Sequence, residues 1–153
     1  MSERRWREVD RYIEQQLVGD DRVLEQVLRA SADAGLPSIA LSPAQGKLLY
    51  LLASMREARS ILEVGTLGAY STIWLARALP ADGRLVTLEL NPRYAEVAAA
   101  NAELADAAGH DPGAQGMRRF HELLDADQRV SATTIQTVGE KGYDGFTLAL
   151  VER

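Results

Sequence analysis

The sequence predicts an α/β fold in which short parallel strands alternate with helices. Three observations point there. Helical periodicity fills the first third of the chain, a short apolar run ending in glycine follows at Ile61–Val64, and a second strand-and-helix pair begins at Leu85. The order strand–helix–strand–helix implies parallel strands joined by right-handed crossovers.

Taken in order, Trp6, Val9, Ile13 and Leu17 recur at helical spacing, and Val23, Leu24, Val27 and Leu28 repeat the pattern. Gly19-Asp20-Asp21 separates the two helices, and either aspartate is placed to cap the second. Gly35-Leu36-Pro37 ends it. Ser42-Pro43 opens a third helix, which is expected to turn Leu48, Leu49, Leu52 and Met55 inward. Ile61–Val64 then reads as a strand buried in a parallel sheet. Gly65–Tyr70 is a loop, and Ser71 starts a helix with Ile73, Trp74 and Leu79 on its buried side. Pro80-Ala81-Asp82-Gly83 is a turn, Leu85–Leu90 a second strand, and Asn91-Pro92 opens an alanine-rich helix running to about Ala108. Gly109–Gly116 is a loop by composition. Arg118–Leu124 reads as helical, with Met117, Phe120 and Leu124 as the apolar positions around it. Thr133–Val138 and Gly145–Val151, joined by the polar GEKGYD, suggest an antiparallel hairpin. There is no internal repeat and no low-complexity linker.

The 153 residues argue for one domain spanning 1–153, large enough for a continuous core. A net charge of −5 excludes the basic footprint of a nucleic-acid binder. The local run of Arg4, Arg5, Arg7 and Arg11 is interleaved with Glu3, Glu8, Asp10 and Glu14, as on a solvated helix face. With no cysteine, thiolate metal sites, disulfides and cysteine nucleophiles are out. No apolar run has membrane-spanning length, and the N-terminus lacks a signal-peptide core, so a soluble cytoplasmic protein is expected.

The chemistry concentrates in ILEVGTLGAYS, Ile61–Ser71. A glycine at the carboxyl end of a parallel strand lets the backbone approach a ligand without a Cβ in between. N–H groups around the loop and the helix start can then hold a polar or anionic group. Twenty-six positions after Glu63, Glu89 ends the next strand. A carboxylate there can accept ribose hydroxyls, as in nucleoside-binding units where the usual spacing is about 20 residues. Gly65 and Gly68 do not complete G-x-G-x-x-G, which disfavours a dinucleotide oxidoreductase, and there is no P-loop. Acidic residues at both strand ends suit a cofactor with no phosphate and a cationic end. S-adenosylmethionine has these features: an ammonium, a sulfonium, a carboxylate and a free ribose. The plain alternative is that Glu63 and Glu89 are strand-end carboxylates facing water.

The unbroken segment Leu41–Asn101, LSPAQGKLLYLLASMREARSILEVGTLGAYSTIWLARALPADGRLVTLELNPRYAEVAAAN, closely resembles the caffeoyl-CoA/catechol-type O-methyltransferases of bacteria and plants. The tail from about Asp111, DPGAQGMRRFHELL and the terminal hairpin, resembles that family's C-terminus. The resemblance implies a Rossmann-like class I methyltransferase fold, shortened, with N-terminal helices and a C-terminal antiparallel hairpin. It also implies that Glu63, Gly65, Thr66 and Ser71 line the methionine end of S-adenosylmethionine. Glu89 would hold the ribose, and Leu41 would pack near the cofactor. A small, aromatic hydroxyl acceptor and a homodimer are the partners it implies.

One departure stands out. NAELADAAG passes straight into HDPGAQG, so an internal deletion is expected near residues 109–111. The family's metal-binding carboxylates and amide, and a nearby lysine, fall in the missing stretch. No metal ligand is therefore assigned, Mg²⁺ is not expected to bind, and the catalytic residues are unassigned. His110 beside Asp111, and His121, could act as a general base; the simpler reading is a loop histidine and a surface histidine. Lys141, Tyr143 and Asp144 could line an acceptor pocket, or merely shape the hairpin turn. The deletion also predicts that the first strand loses a neighbour. Either the hairpin pairs with it or an open edge remains, which favours self-association. Two functions follow: an O-methyltransferase, or a non-catalytic relative that binds cofactor or self-associates.

Overall fold

The structure is a computed structural model that describes residues 3–105, 130–139 and 142–151. His110, Asp111, His121, Lys141 and the expected helix Arg118–Leu124 lie outside the described residues. The chain divides into two compact units, Met1–Ile13 with Gln115–Arg153, and Glu14–Ala114.

In the first unit, helix α1 (Glu3–Ile13) lies against strand β3 (Val130–Gly139), which pairs antiparallel with β4 (Gly142–Val151). The register runs from Val130 opposite Val151 to Gly139 opposite Gly142. Both strands are longer than their apolar runs suggest. Tyr143 and Asp144, expected in the turn, are paired strand residues opposite Val138 and Thr137, because the hydrogen-bond ladder continues almost to the reversal.

The second unit carries the expected strand–helix alternation. It begins with a π-helical turn, Glu14–Val18. That turn has an extra residue, which breaks the helical face predicted through Leu17. Leu17 is consequently exposed, and Val18 packs toward the core instead. Helix α2 (Arg22–Asp33) is capped by Asp21, whose carboxylate accepts from the N–H groups of Val23 and Leu24, both at 3.1 Å. The same carboxylate accepts from Arg77 at 2.5 Å. The Arg77 hydrogen bond is the main reason its acidity is strengthened, outweighing the opposing effect of partial burial. Helix α3 (Pro43–Met55) opens with a full capping box: Gln45 N–H donates to Ser42 Oγ and Ser42 N–H to Gln45 Oε1.

Strands β1 (Ser60–Val64) and β2 (Arg84–Leu88) pair in parallel, Ser60 opposite Arg84 through Val64 opposite Leu88. Helix α4 (Tyr70–Ala76) joins them, and α5 (Pro92–Leu104) follows β2 with Asn91 as its cap. β2 is shorter than predicted. Gly65, at φ 89°, turns the chain away after β1, so pairing ends at Leu88 and Glu89 falls just beyond the strand.

The core cluster is Leu24, Val27, Tyr70, Ile73 and Trp74. It is made chiefly by α2 and α4, with α3 seated on α4 through Gly46 and Trp74. Two expectations about burial are corrected. α3 buries Gly46 and Ala53 while Leu48 and Met55 are exposed, since the small residues allow the close approach to α4. β1 is not a fully buried strand: Leu62 is 63% exposed. The physical reason is a short sheet. Among the described residues β1 has one neighbour, β2, and the hairpin forms its own two-stranded sheet.

Candidate cofactor site at the carboxyl ends of the parallel strands

Glu63 and Glu89 come together at the carboxyl ends of β1 and β2, with the loop Gly65–Ala69 between them. This is where ligands bind in open parallel sheets. Gly65 N–H donates to Leu88 O at 2.8 Å, closing the sheet end. A Cβ on Gly65 would meet nothing within 4 Å, so open space lies beside it. The positive φ nevertheless calls for glycine. Leu67 and Ala69 also take positive φ, 50° and 63°. Each such non-glycine residue costs about 1–2 kcal/mol, and strain of this kind collects at ligand sites.

The two carboxylates do different work. Glu63 accepts from Ser71 Oγ at 2.6 Å on Oε1, and from Thr72 Oγ1 at 2.5 Å and Thr87 Oγ1 at 2.8 Å on Oε2. Thr87 Oγ1 also shares a hydrogen bond with Thr66 Oγ1 at 2.6 Å. Burial of the carboxylate pushes the Glu63 pKa up, with the three hydroxyls pulling against it. A carboxylate offers about four acceptor positions. Three hydroxyl donors leave one on Oε1 for a cation.

Glu89 faces the loop backbone. Its Oε2 accepts from Thr66 N–H at 3.1 Å and Leu67 N–H at 2.8 Å, and its Oε1 from Asn91 N–H at 2.9 Å. Partial burial pushes the Glu89 pKa up, but these N–H groups, with that of Leu90, outweigh it and lower the net value. Successive N–H groups on one anion form a nest; here the protein's own carboxylate fills it. Oε2 thereby takes two N–H groups and Oε1 that of Asn91.

The sequence-predicted residues therefore fall into two groups. Glu63, Gly65, Thr66, Ser71 and Glu89 are brought together. Leu41 packs against the core cluster just before the Ser42 cap. Sequence reasoning missed Thr72, Thr87 and Asn101. Thr87 interrupts the apolar run of β2 on the same face as Glu89, a signal of a buried polar contact. Asn101, alone among alanines in α5, was a similar signal. Among the described residues, no group of three or more histidines and carboxylates converges as a metal site. Nor is any helix there long and apolar enough to cross a membrane.

A family model described as O-methyltransferase matches residues 14–111. The chain belongs to the O-methyltransferase family. The family match ends where the expected deletion lies. Catechol O-methyltransferase of Niastella koreensis is 34% identical over 213 residues, covering 94% of this chain and 96% of the relative. This chain has 153 residues, so at least 60 of those 213 positions have no counterpart in it. Two solved structures share its fold closely. The O-methyltransferase from Bacillus cereus, in complex with S-adenosylhomocysteine, is 35% identical at a TM-score of 0.86, covering 99% of this chain and all of that one. TomG from Streptomyces achromogenes, involved in tomaymycin synthesis and solved with S-adenosylmethionine, is 37% identical at 0.83, covering 100% of both chains. This O-methyltransferase chain thus has the class I methyltransferase fold in shortened form.

Proposed function

We propose that this family member binds S-adenosylmethionine at the ends of β1 and β2 and transfers its methyl group to a hydroxyl of a small aromatic acceptor. The observation that carries the reading is the convergence of Glu63, the Gly65–Ala69 loop and Glu89 on one open sheet end. The donor set fits the cofactor. Glu63 has an acceptor position for the ammonium, Glu89 would hold the ribose, and the methionine portion would lie in the open space beside Gly65. Thr66 and Ser71 hold those carboxylates in place, and Leu41 would pack near the cofactor from the adjoining core. When bound, the cofactor supplies an electrophilic methyl carbon for in-line attack. The chain contributes mainly by fixing its orientation, which is where such a displacement gains most.

Calorimetric titration of the full chain with S-adenosylmethionine and S-adenosylhomocysteine tests the site, and a labelled-methyl assay on catechol tests turnover. We expect binding of both ligands and a turnover that EDTA does not abolish, because the reading places no Mg²⁺ in this chain. Absence of binding would sink the proposal. A second reading is favoured by the 60 or more positions missing relative to the catechol enzyme: a relative that keeps the cofactor but not the acceptor chemistry. Binding without methyl transfer would establish that one.

The reading includes a cytoplasmic homodimer. Its support is the free side of β1 among the described residues and the exposed Leu62 on that strand, since an open strand edge is a template for a second copy. Light scattering behind size exclusion is expected to give twice the chain mass. A monomer at micromolar concentration with ordinary thermal stability would refute the dimer.

A further inference from the structure

The loop between the two carboxylates is held from behind by a residue that belongs to neither strand. Asn101 sits in the last turn of α5, 3% exposed. Its Nδ2 donates to the Gly68 carbonyl at 3.0 Å and to Ser31 Oγ at 3.2 Å. Ser31 Oγ in turn donates to Val27 O at 2.7 Å, so its proton is committed and it receives the amide on a lone pair. Both Nδ2 hydrogens are used.

The contact is close as well as polar. A Cβ on Gly68 would stand 2.1 Å from Ser31 Oγ, so the loop rests on α2 as tightly as glycine permits. On either side of Gly68, Leu67 and Ala69 hold left-handed φ values, which L residues keep only when their surroundings impose them. A buried asparagine is costly unless its donors are satisfied. An alanine helix would fill this space without one. The amide's contribution lies in what it grips: the carbonyl at the centre of the strained loop.

We infer that Asn101 is a positioning residue for the cofactor. Through the Gly68 carbonyl and Ser31 it holds the loop conformation that aims the Thr66 and Leu67 N–H groups at Glu89, and so it sets cofactor affinity without touching the ligand. The inference rests on the cofactor site proposed above.

The test titrates S-adenosylhomocysteine into the full chain carrying Asn101→Leu, which removes both donors, or Asn101→Asp, which turns an oxygen toward the Gly68 carbonyl. Each is expected to bind about ten-fold more weakly or worse. Leu51→Gly on the exposed side of α3 is the control: it weakens a helix interior without touching the packing on α4 and should lower Tm while leaving affinity unchanged. Asn101 variants that bind as tightly as the parent, whatever their Tm, overturn the inference. If neither variant folds, Ser31→Ala removes one of the amide's partners and should weaken binding about three-fold; unchanged affinity there also overturns it. A parent chain that does not bind removes the cofactor site and this inference together, whereas tight binding by the variants removes the inference alone.

Discussion

Glu63→Gln is expected to weaken cofactor binding by about ten- to a hundred-fold, the equivalent of losing one charge-assisted hydrogen bond, while leaving the protein at neutral pH as stable as the parent or more so. The split arises because the carboxylate is buried among three hydroxyls. Burial raises its pKa, so the folded state holds the proton more tightly than the unfolded chain does. The stabilising contribution is complete below the ordinary value of 4.5, declines as pH rises through the higher folded value, and is gone above it. Glutamine has no charge to desolvate, and the hydroxyls can reorient to serve its amide. Urea unfolding of both proteins from pH 4.5 to 8 should therefore show the parent losing stability relative to the variant as pH rises. Parallel curves, or unchanged cofactor affinity, would contradict this role for Glu63.

Gly46→Ala is expected to destabilise by about 1–3 kcal/mol, the usual cost of forcing extra volume into a packed site. The sign is the informative part. An alanine replacing glycine inside a helix ordinarily gains about 0.8–1.0 kcal/mol. Here the new Cβ would lie 2.3 Å from Trp74 Cδ1 and 2.4 Å from Nε1. The ring has little freedom to yield, because Tyr50 packs edge-on at 6.3 Å and the Arg77 guanidinium sits 6.0 Å from its centroid. Any shift would be felt by α4, which carries Ser71 and Thr72 to Glu63. Denaturant midpoints measure the effect directly. A midpoint at or above the parent's would mean that α3 and α4 separate easily and that the Gly46–Trp74 contact does not fix their spacing.

The parts legible in the sequence were those governed by near neighbours. Ser42 caps α3 because its oxygen reaches a backbone N–H three residues on, and Asp21 caps α2 the same way. β1, the glycine turn after it and the acidic residue after β2 are likewise short-range patterns. They carried Glu63, Gly65, Thr66, Ser71 and Glu89 to one place. Leu41 follows from the resemblance alone, and it packs against the core cluster. Periodicity predicts a different buried face for α3 because it ranks residues by hydrophobicity. Close helix packing selected Gly46 and Ala53 for their small size.

Sequence alone therefore determined the family, the two parallel strands and the pair of carboxylates at their carboxyl ends. The tertiary structure decided how those carboxylates are used. Thr87 meets Glu63 across 24 positions, Thr66 and Leu67 meet Glu89 across 23 and 22, and Asn101 reaches Gly68 across 33. No local pattern encodes such contacts, because they exist only once β1, β2 and α5 have packed and the buried polar groups must find partners. The sequence leaves two outcomes for the free side of β1; which one holds depends on strand pairing across the chain, and among the described residues β1 pairs with β2 alone.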